Sequence, residues 1–182
     1  MRKIAVVTFG RMNPPTQGHD KLVRKLRHVA QLTGGDPMVF LSHSHDSKKN
    51  PLDYSTKFKY AKKAFGKLVQ GSLSRNIIQV MQELEKFGYD KVILVVGSDR
   101  VQEMSKLLKD YNGKDYNINE IKVVSAGERD PDADDVSGMS ASKMREFAEI
   151  QDLNHFKQGL PLLLQPKAAE VMQKVREGLK LN

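Results

Sequence analysis

The sequence predicts an α/β fold: a doubly wound parallel sheet with helices on both faces and further helices at the carboxyl end. Three observations lead there. Short apolar runs alternate with amphipathic stretches, the order of repeated βα units. The first run, KIAVVTF (3–9), is continuously apolar, as in a strand buried on both faces. The glycine-rich and charged segments follow the strands, at the carboxyl edge where such sheets bind ligands.

After the first strand, QGHDKLVRKLRHVAQL (17–32) places Leu22, Leu26, Val29 and Ala30 at helical spacing, and Gly34-Gly35 ends it. PMVFLSH (37–43) reads as the second strand. STKFKYAKKAFGKLV (55–69) is a basic amphipathic helix with Phe58, Ala61 and Phe65 on one face. NIIQVMQELEKFG (76–88) is a helix stopped by Gly88, and DKVILVVGSD (90–99) is the most apolar strand. A helix over 101–111 and a strand over 119–127 follow, then the polar loop GERDPDADDVSG (127–138). MSASKMREFAEI (139–150) opens a helix on serines, FKQGLP (156–161) interrupts it, and PKAAEVMQKVREGLK (166–180) closes the chain. Residues 1–150 are expected to form one domain, with 151–182 a helical extension packed on it. LPLLL (160–164) is apolar enough to pack on that core or on a second copy of the chain.

The 182 residues, 39% hydrophobic and 29% charged, suffice for a substantial core. No apolar run reaches the roughly 18 residues of a membrane span, and no membrane partner is expected. The basic start breaks at once into a glycine/proline loop, too short for a signal-peptide core. Absence of cysteine excludes disulfides, thiolate metal sites and a cysteine nucleophile, and points to a cytoplasmic protein. A net charge of +8 fits a surface that handles anions, nucleotides or nucleic acid, although much of the lysine lies on amphipathic helix faces.

The segment FGRMNPPTQGH (9–19) carries the chemistry. Phe9 ends the strand, Gly10 allows close approach to a ligand, and Arg11 supplies charge. Asn13 precedes proline and is biased to extended backbone; Pro14 and Pro15 delay the helix. Thr16 is then a natural N-cap, with Gln17, Gly18 and His19 in the first turn. Free amides and the helix dipole make that turn an anion site, and His19 can donate to a phosphate oxygen. MSASKMR (139–145) repeats the device, with Ser140 or Ser142 as cap and Lys143 and Arg145 adding charge. Lys48 and Lys49 lie in a strand-to-helix loop at the same edge. Gly97, Asp99 and Arg100 follow the third strand, where Asp99 suits a ribose or base, or the cap of the helix from Val101.

Other chemistries fail. Neither GxxxxGK[ST] nor GxGxxG is present. His43 and His45 share one side of an extended chain, but no second histidine cluster supports a metal. DPDADD (130–135) begins like a calcium loop, yet Asp135 stands where glycine is needed and Ala141 where the closing glutamate belongs. It reads as a solvated acidic loop, near enough to accompany a nucleotide-bound Mg²⁺.

With TQGH and MSASKMR together, the chain resembles the nucleotidyltransferase superfamily whose signatures are (H/T)xGH and ISSTxxR. Its members include nicotinamide-mononucleotide and phosphopantetheine adenylyltransferases and the glycerol-phosphate and choline-phosphate cytidylyltransferases. The resemblance covers about residues 3–147 and is nearest to phage-type members with a GR-x-NPPT-x-GH opening. It implies a Rossmann-like fold, transfer of a nucleoside monophosphate from ATP or CTP to a phosphorylated acceptor, and Mg²⁺ carried by the nucleotide. For a phage-encoded chain it implies the host cytoplasm.

By position, the resemblance puts Thr16 and His19 at the α-phosphate, and Ser140, Ser142 and Arg145 at the triphosphate. SKKNP (47–51) is similar to the SKKP stretch of phosphopantetheine enzymes, making Lys48 or Lys49 a phosphate ligand. Thr16 matches the phosphopantetheine enzymes, Arg145 the nicotinamide enzymes, and the RTEGISTS stretch of the cytidylyltransferases is absent. An adenylyltransferase acting on nicotinamide mononucleotide is therefore the leading expectation, and a cytidylyltransferase the alternative. A third possibility is a basic nucleic-acid-binding or assembly protein that kept the fold without the activity.

Overall fold

A computed structural model describes residues 2–127 and 139–181; the DPDADD stretch lies outside the described residues. Four strands form one parallel sheet in the order β2-β1-β3-β4: β1 (Ile4–Gly10), β2 (Asp36–Leu41), β3 (Lys91–Val96) and β4 (Glu120–Ser125). The register pairs Ala5 with Asp36 and Gly10 with Leu41, Ile4 with Lys91, and Lys91 with Glu120. The chain steps from β1 to β2 on one side and returns to β3 on the other. The strand order thus reverses at the carboxyl ends of β1 and β3, the crevice that doubly wound sheets use for ligands.

The chain divides into two compact units, each assembled from separated segments. One holds residues 2–10, 22–42 and 70–127, with the whole sheet, helix α3 (Ile77–Lys86) and helix α4 (Val101–Tyr111). Its core joins Ala5, Val7, Phe40, Val92 and Leu94 of the strands to Val80, Met81 and Leu84 of α3 and Leu108 of α4. These strands are apolar on both faces because parallel strands are covered on both. Asn76 starts α3 by accepting the Gln79 amide at 2.9 Å.

The other unit holds residues 11–21, 43–69 and 139–181. It contains helices α2 (Tyr54–Phe65), α5 (Ala141–Glu149), α6 (Leu153–Gly159) and α7 (Ala168–Gly178), and the beginning of α1 (Gln17–Thr33). Leu52, Tyr60, Met144, Phe156, Leu160, Leu164 and Val171 form its core. Arg176 of α7 is buried and donates to the Ala148 and Glu149 carbonyls at 2.7 and 3.0 Å, closing the carboxyl end of α5.

The structure corrects expectations about where elements end. β3 stops at Val96, and residues 98–100 form a 3-10 turn. The helix expected over 55–69 ends at Phe65, where Gly66 turns to φ +80° and its N–H reaches the Lys62 carbonyl. FKQGLP is no interruption: Asp152 caps a new helix, α6, that buries Phe156 and Gly159. Within LPLLL, Leu160, Pro161 and Leu164 are buried while Leu162 and Leu163 are exposed, so the segment packs on the core of its own unit.

Candidate functional site

Thr16 caps α1. Its hydroxyl accepts the His19 amide at 3.3 Å and its carbonyl accepts the Asp20 amide at 3.0 Å. The Thr16 backbone N–H donates to His19 Nδ1 at 3.0 Å. Because that N–H can only donate, Nδ1 must accept, and the neutral ring carries its proton on Nε2. A cap that turns back on its own third residue thus leaves His19 with Nε2–H as a donor. The Thr16 hydroxyl also lies 3.2 Å from Nδ1 and donates to the Met139 carbonyl at 3.3 Å. Thr16 is 1% exposed, so its contacts run to His19 and Met139 within the protein.

Gly18 explains why the two motifs meet. A Cβ at this position would stand 2.7 Å from the Met139 carbonyl oxygen. Only glycine lets the first turn of α1 lie so close to the MSASKMR backbone. Gln17 adds a hydrogen bond from its side-chain amide to the Leu160 carbonyl at 2.8 Å. Ser140 caps α5, accepting the Lys143 amide at 3.2 Å, whereas Ser142 is exposed. Arg145, one turn further, donates from Nη1 to the Asn13 carbonyl at 3.0 Å. Burial first, and then the Arg11 charge, lower the Arg145 pKa from its ordinary value. The structure therefore brings Arg11, Asn13, Thr16, Gly18, His19, Ser140 and Arg145 into one neighbourhood.

Asn13 braces this neighbourhood from within. Its side chain donates to the Leu52 carbonyl at 3.0 Å and accepts the Leu52 amide at 2.8 Å, and the residue is 1% exposed. Lys48 and Lys49 are exposed, on a loop that Asp46 holds. Asp46 Oδ1 accepts the amides of Lys48, Lys49 and Asn50 at 2.9, 2.8 and 3.2 Å, and Oδ2 accepts the Asn50 side-chain amide at 2.8 Å. The Asn50 side-chain bond, followed by the Lys49 and Lys48 amides, holds the Asp46 pKa well below the ordinary carboxylate range. The carboxylate acts as a staple that fixes the loop backbone and leaves both ammonium groups facing outward. His43 stacks on Tyr54 with centroids 3.9 Å apart and planes 6° apart. No group of three or more His, Cys, Asp or Glu among the described residues could hold a metal.

Five of the expected site residues, Phe9, Gly10, Gly97, Asp99 and Arg100, belong to the sheet unit, and Gly10 closes β1. Phe9 packs against the sheet core, and the Gly10 carbonyl accepts the Ser42 amide at 2.9 Å. Gly97 follows β3, and a Cβ there would lie 2.9 Å from Asp99 Oδ1. Asp99 does not cap α4: Arg100 holds that position with no side-chain cap. The Arg100 guanidinium runs along its own helix, 4.0 Å from Glu103 and 3.6 Å from Met104 Sδ.

Sequence reasoning missed Lys57. It lies in α2 and has no solvent exposure. The signal was its spacing from Ala61 and Phe65, i, i+4 and i+8, which puts a lysine on the buried stripe of the helix.

The model of the cytidylyltransferase-like family matches residues 7–147, which include both motifs. The chain belongs to the cytidylyltransferase-like family. Its sheet with flanking helices is the family's nucleotidyltransferase fold, as the two motifs implied. A solved structure from Vibrio parahaemolyticus, provisionally described as a nicotinate-nucleotide adenylyltransferase, superposes with a TM-score of 0.56 at 17% identity. The match covers 93% of this chain and 99% of that one, and at this identity it establishes the shared fold. No curated protein matches this family member. No helix among its described residues is long and apolar enough to cross a membrane.

Proposed function

We propose that this protein is an adenylyltransferase that moves AMP from ATP to a phosphorylated acceptor, a pyridine mononucleotide such as nicotinamide mononucleotide, and releases pyrophosphate. The observation that carries the reading is the Thr16–His19 contact: it holds Nε2–H as a donor at the start of α1, while Arg145 is bonded to Asn13 in the loop that leads into that helix. In the proposed reaction an acceptor phosphate oxygen attacks the α-phosphorus. The bond from α-phosphorus to the bridging oxygen breaks, and pyrophosphate leaves with that oxygen.

The nucleophile is already an anion, so positioning and charge stabilisation suffice. His19 donates to the charge that grows on the α-phosphate, while the first-turn amides of α1 and the side chains of Arg11 and Arg145 hold phosphate oxygens. Thr16 orients His19. Ser140 shapes the start of α5, and the outward ammonium groups of Lys48 and Lys49 meet the acceptor or triphosphate. Phe9, Gly10, Gly97, Asp99 and Arg100, at the carboxyl ends of β1 and β3, are the candidate nucleotide contacts of the sheet unit. Donors of this kind, amides, imidazole and cations, suit phosphate oxygens, so Mg²⁺ is held by the nucleotide and supplies charge neutralisation there. The adenylyl choice is supported by the Vibrio fold neighbour's description and by Arg145. The family's own description favours CTP with a sugar- or alcohol-phosphate as the second reading.

The test is pyrophosphate release with Mg²⁺ and ATP or CTP against pyridine mononucleotides, phosphopantetheine, glycerol phosphate and choline phosphate. Release is expected with ATP and a pyridine mononucleotide, and His19→Ala abolishes it while the circular dichroism spectrum is retained. No release with any pair, or near wild-type turnover by His19→Ala, refutes the reading.

A further inference from the structure

Residues 54–82 carry five lysines and one arginine and no acidic residue. Much of this charge gathers on α2. Lys59, Lys62 and Lys63 are exposed on the side of the helix opposite its buried stripe of Lys57, Tyr60, Ala61 and Phe65. Lys67 is exposed just beyond the helix end. Among the described residues, none of Lys59, Lys62, Lys63 and Lys67 forms an ion pair. Glu170 touches α2, accepting the Tyr60 hydroxyl at 2.8 Å, but pairs with none of these lysines. Lys59 and Lys62 lie 5.8 and 5.9 Å from the centroids of the Tyr60 and Phe58 rings. That is the outer limit of cation–π attraction, and it leaves their charge in place.

This arrangement works against the helix. Lys59 meets Lys62 at i+3 and Lys63 at i+4, and like charges at these spacings repel. The helix dipole offsets the repulsion for Lys62 and Lys63 in the last turn, but not for Lys59, a turn earlier. Packing and capping therefore do not account for the cluster, and charge complementarity selects a polyanion. No large apolar side chain between residues 54 and 69 is exposed, so the face lacks the wedge with which an amphipathic helix enters a lipid surface. Lys59 and Lys63 stand one turn apart, about 6 Å along the axis. Regular spacing suits the repeating charges of a nucleic-acid strand better than the irregular ones of an acidic peptide. Ammonium groups act as point charges, which fits contacts to phosphates and not to base edges.

We propose that the exposed face of α2 binds a nucleic-acid strand through its phosphates, without sequence preference. The inference goes beyond the proposed nucleotidyl transfer and does not rest on it. Each lysine that meets a phosphate releases a counterion, so affinity falls steeply with salt.

The experiment is fluorescence anisotropy of a labelled single-stranded oligonucleotide of mixed sequence, titrated with the full chain over a series of salt concentrations. The variants are the triple Lys59→Gln, Lys62→Gln, Lys63→Gln and a control triple of exposed lysines in the sheet unit, Lys86→Gln, Lys109→Gln, Lys114→Gln, which changes net charge equally. Circular dichroism checks folding; if the α2 triple does not fold, the three single changes replace it. Wild type is expected to bind, equally well for different sequences. The α2 triple flattens the slope of log affinity against log salt by about 2, or about 0.7 per single change, while the control triple moves it little. Absence of binding at low salt, an unchanged slope in the α2 variants, or equal losses in both triples overturns the proposal. So does displacement of the strand by poly-glutamate or phosphatidylserine vesicles as readily as by unlabelled oligonucleotide. Strand binding of the expected kind without nucleotidyl transfer sinks the proposed function alone, and transfer without strand binding sinks this inference alone.

Discussion

Replacing Thr16 by valine removes one oxygen and keeps the shape. The hydroxyl accepts the His19 amide and donates to the Met139 carbonyl, both at 3.3 Å. Loss of an N-cap costs about 1 kcal/mol. Leaving a buried carbonyl without its donor costs roughly 1–3 kcal/mol, and the long distance favours the lower end. The added methyl returns about 0.8 kcal/mol by burial. The net expectation is a loss of about 1–2 kcal/mol, or roughly 3–6 °C in Tm for a chain of this size.

The backbone N–H to Nδ1 survives in Thr16→Val, so the ring keeps its proton on Nε2. Thermal unfolding by circular dichroism measures the first effect, and long-range nitrogen–proton NMR of His19 the second. A Tm within about 1 °C of wild type would show that the hydroxyl contacts contribute nothing. A ring protonated on Nδ1 would show that the backbone bond does not set the tautomer.

Further outcomes follow from the same geometry. Asn13→Asp turns the amide that donates to Leu52 into a second acceptor, and is expected to destabilise by about 2–4 kcal/mol; chemical denaturation showing less than about 1 kcal/mol counts against the brace. Arg176→Met leaves the Ala148 and Glu149 carbonyls without their donor, so a loss of about 2–4 kcal/mol is expected, with the fraying of α5 visible in amide exchange. Because the Asp46 carboxyl is lowered in the folded protein, its contribution is fully present above its unfolded value, about 4, and is lost as pH falls through the lower folded value. The amide shifts of Lys48 and Lys49 should therefore hold steady down to about pH 4 and move only below it; movement between neutral pH and that point would contradict the staple.

Much of the fold was legible because its causes are local. The apolar runs of β1 and β3, the cap at Thr16 and the cap at Ser140 depend on residues within one turn or one strand. α6 was hidden because Gly159 and Pro161 read as breakers, while the helix depends on burying Phe156 in a core shared with α2, α5 and α7. β3 stopping at Val96 was hidden for a similar reason: its partner β4 ends opposite at Ser125.

For the site, sequence alone selected two helix starts bearing His19 and Arg145, because capping residues and charges announce an anion site in any context. Tertiary structure decided what those residues do for one another. Gly18 touches Met139, Arg145 reaches Asn13, and Asn13 clasps Leu52, across separations of 121, 132 and 39 residues. Lys57 was written in plain view, but its burial depends on what covers α2. A lysine's charge is a property of its side chain; its solvation belongs to the neighbours that displace water.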